Sequence, residues 1–233
     1  MKRALVFQHM DHDDLGRFAG ILRDDNFSID TIMFHHGDAI PNLQAYDLMI
    51  VLGGAMDVWE EQAHPWLIAE KAAIREWVGR HAKPYLGLCL GHQLLADAMG
   101  GKVGLAEKDE LGVYDVKRNA NHHRLFADVP ENLKVFEWHH CEVQSLPPQA
   151  INLASSENSA IQAMAVGDNA IGLQFHVEFD MGSVERWANV PEYIALMEKR
   201  LGVGSYPGVK EQARAIMPDY DALARRIWRN LKN

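Results

Sequence analysis

The sequence predicts an α/β fold: a single domain over residues 1–233, built on an open mixed sheet that is mostly parallel, flanked by helices and continued by an antiparallel extension. Three observations predict it. Apolar runs near 3–8, 28–34 and 46–52 are interleaved with a helical pattern, the opening of a parallel sheet. From Val103 to about 175 the pattern changes to alternating runs with frequent turn residues, as antiparallel strands require. A chain of 233 residues fills one large core and leaves a second independent domain cramped.

Taken in order, residues 3–8 read as a buried strand. The stretch from Asp13 carries acidic residues at its start and Leu15, Phe18, Ala19 and Leu22 at helical spacing. A second strand follows from Ser28 to Phe34. Tyr46 to Leu52 is an apolar run closed by Gly53-Gly54, the mark of a central strand that the backbone leaves tightly. Pro65 opens a helix to about 81, with Trp66, Ala69, Ala73 and Trp77 expected on its buried stripe. Tyr85 to Leu88 is a further strand, and Leu94, Leu95, Ala98 and Met99 give the next helix its apolar face before Gly100-Gly101 stops it. Ala170 to Phe179 reads as the last strong strand. The motif-bearing core thus runs from about 3 to 180, and 181–233 forms a helical extension in which Ile216, Tyr220, Leu223, Ile227 and Leu231 make one stripe.

Composition narrows the function. A net charge of −9 argues against nucleic acid and acidic membranes, which reward clustered Lys and Arg. No stretch has the length and apolarity of a membrane span, and the N-terminus is too short in apolar residues for a signal peptide. Two cysteines make no disulfide framework, so a reducing, cytoplasmic location is expected. The expected ligand is small, or another protein.

The chemistry centres on Gly87-Leu-Cys89-Leu-Gly91, a strand end, a sharp turn and a helix start. This is the cysteine form of a nucleophile elbow, in which small flanking residues let the turn expose a reactive side chain. A helix N-terminus there favours the thiolate. A thiol nucleophile needs a base, a group to orient that base and donors for an oxyanion. His176 and Glu178, two residues apart in extended chain, present an imidazole and a carboxylate to one side. The amides of Leu90, after the nucleophile, and Gly54, at the neighbouring strand end, are the natural oxyanion donors. Cys141 is expected as a small buried filler. His9 with His12, His35 with His36, and His122 with His123 lack the spacing of a zinc site, so no metal and no cofactor are expected.

These segments together resemble the class I (triad) glutamine amidotransferases, and within them the amidotransferase half of GMP synthase. Gly-Leu-Cys89-Leu-Gly-His-Gln is similar to the family's nucleophile motif, Leu-Gly-Gly-Ala-Met to its oxyanion strand, and Gln174-Phe-His176-Val-Glu178 to its His-Pro-Glu segment. The resemblance implies a flavodoxin-like sheet and hydrolysis of glutamine's side-chain amide through Cys89, His176 and Glu178, with a γ-glutamyl thioester. It also implies that Gln93 and His139 help hold the substrate. Val177 stands where the family has proline, which leaves the turn less rigid, and Ala55 where proline is common, a mild change that keeps the Gly54 amide; His140-Cys141-Glu142 in place of the Gly-Asp region opens the site to substrates other than free glutamine. No Gly-rich phosphate loop is present, so ammonia would pass to a separate synthetase subunit or be released. The alternatives are a γ-glutamyl peptidase or hydrolase acting on γ-glutamyl conjugates, and a non-catalytic partner subunit.

Overall fold

The computed structural model describes residues 1–119 and 122–233, apart from the side chain of Glu192. Its centre is a nine-stranded sheet. In chain order the strands are β1 (Lys2–Gln8), β2 (Phe27–Met33), β3 (Leu48–Val51), β4 (Tyr85–Leu88), β5 (Lys102–Arg118), β6 (Asn132–Ser145), β7 (Ala150–Ser155), β8 (Ala163–Val166) and β9 (Ala170–Leu173). Across the sheet they lie β2-β1-β3-β4-β9-β8-β7-β5-β6. The first five in that order pair in parallel. The remaining pairs are antiparallel. The expected mixed sheet with an antiparallel extension is therefore the observed one.

Alternation along the strands separates two cores. Ala4, Val6, Leu48, Ile50, Leu86 and Leu88 face one side. Leu5, Phe7, Met49, Val51 and Tyr85 face the other. The first face is covered by α1 (Phe18–Asp24), α4 (Met181–Trp187) and the long α6 (Tyr206–Lys232), whose Ile216, Tyr220, Leu223, Ile227 and Leu231 are all buried as their spacing requires. The second is covered by α2 (Trp66–Glu76) and α3 (Leu90–Ala98). Each Leu or Phe fully buried in this way contributes about 1.5–3 kcal/mol. Between α4 and α6 lies α5 (Pro191–Leu201), with proline in its first turn. Among the described residues no helix is long and apolar enough to cross a membrane.

Three elements depart from the sequence reading. The helix expected from Asp13 begins only at Phe18, with Asp13 and Leu15 in the loop before it. The helix after Pro65 buries Leu67, Glu70, Ala73 and Ile74 while Ala69 is exposed, because the stripe is turned to place the Glu70 carboxylate inside against His9. Its last turn, Trp77–His81, is a wider π-type turn. The strand expected over 170–179 ends at Leu173. Beyond it the chain leaves the sheet, and the His176 N–H donates to the Phe136 carbonyl at 3.0 Å. Phe175, Val177 and Phe179 still point inward and are fully buried, so the alternation that sets His176 and Glu178 apart from them survives without the strand.

Candidate active site

The site lies where β3, β4 and β9 end, on the carboxyl edge of the parallel half of the sheet. Cys89 caps α3 with φ 51° and ψ −104°, a positive φ that a non-glycine residue adopts at a cost of about 1–3 kcal/mol. The two bracketing glycines make that turn possible by contact. A Cβ on Gly91 would stand 2.1 Å from the Val51 carbonyl oxygen, and one on Gly87 would stand 2.4 Å from the Gly91 carbonyl oxygen. The helix start is pressed against the neighbouring strand, and main chain alone fixes where the sulfur stands.

His176 Nδ1 lies 2.7 Å from Glu178 Oε1, which leaves Nε2 with no other hydrogen-bond partner. Burial lowers the proton affinity of this imidazole, but the charge of Glu178 and then the Cys89 sulfur outweigh it, so its pKa stands well above the ordinary value. Cys89, His176 and Glu178 are each 6% exposed. The Cys89 thiol points toward the Trp138 carbonyl at 3.8 Å, and the Gln174 amide donates to its sulfur at 3.7 Å.

The glycine turn is braced from behind. His9 is buried, with Nδ1 2.8 Å from the Gly53 carbonyl oxygen and Nε2 3.0 Å from Glu70 Oε1. Burial lowers its pKa, but Glu70 more than compensates and raises it, so both ring nitrogens can donate. In a trans peptide the N–H points opposite to the preceding C=O, so holding the Gly53 oxygen on His9 directs the Gly54 N–H away from His9. Gly54 lines the cavity together with Cys89 and His176. No sequence spacing links His9 to Glu70 across 61 residues, and their role is visible only in the fold.

Gln93 and His139 lie behind the cavity wall and are not among the residues lining it. The Gln93 amide donates to the Cys141 carbonyl at 3.0 Å and to Gln174 Oε1 at 3.1 Å. His139 is held by Glu110 Oε2 at 3.0 Å and by the Cys141 carbonyl at 2.9 Å. Beside it Glu137 is buried without a hydrogen bond, and burial, reinforced by Glu110, pushes its carboxyl well above the usual range. Cys141 is buried and its thiol donates to Asp57 Oδ1 at 3.0 Å, which also accepts from His140. Burial and then Asp57 raise this thiol far above an ordinary cysteine, the opposite of what a nucleophile needs.

The opposite wall comes from the helical extension. Trp187, Tyr193 and Leu196 face the cavity with Trp138 and Asp13, around a space of about 130 Å³. The Trp187 ring stands 5.5 Å from His176, edge to face. Tyr193 donates to Asp13 Oδ2 at 3.1 Å, and burial raises the Asp13 carboxyl above its ordinary value against the pull of His12 and His176. The sequence reading missed all five. Asp13 stood out only as an acidic helix start, and Trp187, Tyr193 and Leu196 lie in the extension read only as helical. Among the described residues, Asp11 with His35 and His36, Asp57 with His140 and Cys141, and Glu110 with Glu137 and His139 bring possible metal ligands together.

Cys89, at a strained strand-to-helix turn, and His176, held by the Glu178 carboxylate, thus line one cavity at the edge of a parallel sheet. The sequence profile of class I glutamine amidotransferases matches residues 22–186. The chain belongs to the class I glutamine amidotransferase family. It is 39% identical over 138 residues to one of the subunits of the glutamine-hydrolysing GMP synthase of Sulfurisphaera tokodaii, a match covering 58% of this chain and 69% of that one. It is 30% identical over 145 residues to gamma-glutamyl peptidase 3 of Arabidopsis thaliana, covering 60% and 57%. A glutamine amidotransferase from Thermotoga maritima superposes with a TM-score of 0.91 at 31% identity, over 100% of this chain and 99% of that one.

Proposed function

We propose that the protein hydrolyses the side-chain amide of a γ-glutamyl compound, in the first instance glutamine, through a Cys89-His176-Glu178 triad. The observation that carries this reading is the His176–Glu178 contact of 2.7 Å, which leaves Nε2 without a hydrogen-bond partner in the same cavity that Cys89, at positive φ, lines. Cys89 Sγ attacks the amide carbon, and its proton resides on His176. The oxyanion is held by the N–H groups of Gly54 and Leu90, the second lying in the first turn of α3. Imidazolium Nε2 protonates the departing nitrogen, the C–N bond breaks, and a γ-glutamyl thioester remains. Water, deprotonated by the same Nε2, then attacks the thioester and releases glutamate with the free thiol. Glu178 keeps Nδ1–H fixed and stabilises the imidazolium throughout. Gln93 and His139 act on the substrate through the wall they brace. A relative named as part of GMP synthase supports the further reading that a separate synthetase subunit takes the ammonia.

A second reading, cleavage of γ-glutamyl conjugates, is favoured by the wall of Trp187, Tyr193 and Leu196 beyond His176, where ammonia needs no such enclosure. The test is to measure glutamate release from glutamine and from γ-glutamyl amides, with rapid acid quench and mass analysis of the intact protein. A γ-glutamyl adduct on Cys89 that is missing from Cys89→Ala is expected; an adduct on Cys141, or release that survives Cys89→Ala, overturns the mechanism.

A further inference from the structure

We infer that the cavity carries a leaving-group subsite for a cation, so that the conjugate it suits best is the γ-glutamyl amide of a diamine, attached through one nitrogen and charged at the other. This deepens the γ-glutamyl reading above and rests on it.

The placement follows from the direction of proton transfer. The departing nitrogen must sit against His176 Nε2, on the side away from the oxyanion amides. What continues from His176 on that side is a line of side chains: Trp187 with its ring 5.5 Å from His176, Tyr193 with its ring 6.3 Å from Trp187 and 5.4 Å from Trp138, and Asp13 3.1 Å from the Tyr193 hydroxyl. Three aromatic rings and one carboxylate are the side chains that recognise an alkylammonium, the rings through their negative faces and the carboxylate by a charge-assisted hydrogen bond.

Asp13 is poised for such a partner. Its Oδ2 accepts from Tyr193, while its Oδ1 is buried with no hydrogen bond. Among the described residues no lysine or arginine lines this cavity; the cationic groups that act on Asp13 are the imidazoles of His12 and His176. A buried acceptor without a donor is costly, and a ligand ammonium would supply that donor. Leu196 and the ring faces then cover the methylene chain between the two nitrogens. The covalent chemistry is that of the hydrolysis already described: the amide nitrogen leaves with the proton from His176, and the second nitrogen remains an ammonium throughout.

The experiment compares two near-isosteric conjugates, γ-glutamyl diaminobutane and γ-glutamyl pentylamine, which differ at the chain end by an ammonium in place of a methyl. The wild-type kcat/KM is expected to favour the charged conjugate by about tenfold or more. In Asp13→Asn that ratio falls toward one, and Asp13→Glu restores part of it. A wild-type ratio near one overturns the subsite. So does an Asp13→Asn variant that lowers both substrates equally, since Asp13 would then serve the α-ammonium common to them. A second measurement needs neither turnover nor a variant: free diaminobutane should slow alkylation of Cys89 in the wild-type protein, and pentylamine should not. Equal protection by the two amines, or none, overturns the proposal. Selective protection with no cleavage of either conjugate or of glutamine would keep the subsite and count instead against the hydrolytic reading.

Discussion

The two walls of the cavity are made in different ways. On the strand-end side, Cys89, Gly54 and Leu90 are placed by main chain: a carbonyl of β3 against the elbow, and an imidazole gripping the Gly53 oxygen. On the helical side, Trp187, Tyr193 and Leu196 reach the cavity as side chains from α4 and α5, and Asp13 from the loop after β1. A wall of backbone cannot be edited without disturbing the fold, whereas a wall of side chains can be altered residue by residue. In the proposed reaction this difference separates chemistry from selectivity, and substitutions on each side test whether that separation holds.

The largest effect is expected at the elbow. Cys89→Ala should lower turnover by about 10⁴-fold or more while leaving the chain folded, because the remaining oxyanion donors and binding groups supply only residual catalysis. Rate measurement beside a thermal melt checks it; a loss of less than tenfold would place the nucleophile elsewhere. Glu178→Gln should cost about 10²–10⁴-fold in kcat, since the imidazolium loses its acceptor. That variant also carries a pH signature. The wild-type pKa of His176 is raised, so the stability it draws from Glu178 is full below the ordinary histidine value of about 6.5 and fades as pH rises through the raised folded value. Urea melts should therefore show a larger gap between wild type and variant near neutral pH than in strong alkali.

These two residues were legible in the sequence because their signals are local. Gly-x-Cys-x-Gly and His-x-Glu each complete their geometry within a few residues, and the 170–179 segment kept its alternation even though it is not strand beyond Leu173. What was not legible depends on distant partners. Glu70 occupies a helical stripe where an apolar residue is expected, and only its pairing with His9 explains it. Asp13 and Tyr193 lie 180 residues apart and meet across the cavity. Cys141 read as filler, and its bond to Asp57, 84 residues away, shows what it packs against.

The middle effect tests the hidden brace. His9→Gln should lower kcat by about tenfold to a hundredfold with little change in KM, below the ~10²–10³ typical of deleting an oxyanion donor outright, because Gly54 stays but loses its fixed orientation. A change confined to KM would assign His9 to binding instead. The smallest effect is expected on the helical wall. Leu196→Ala should raise KM for bulky γ-glutamyl amides about three- to tenfold and leave glutamine nearly untouched, as the removal of a few methyl contacts predicts. Comparable losses for both substrates would show that the two walls are not separable.

The long helix α6 contributes no residue to the cavity lining, yet it reaches His176. The Phe136 N–H donates to the Tyr220 hydroxyl, and the Phe136 carbonyl receives the His176 N–H at 3.0 Å. One residue of β6 thus carries a hydrogen-bonded line from Tyr220 to His176. The family's sequence profile stops at 186, so a protein cut there is expected to keep Cys89, His176 and Glu178 but lose the Tyr220 end of that line.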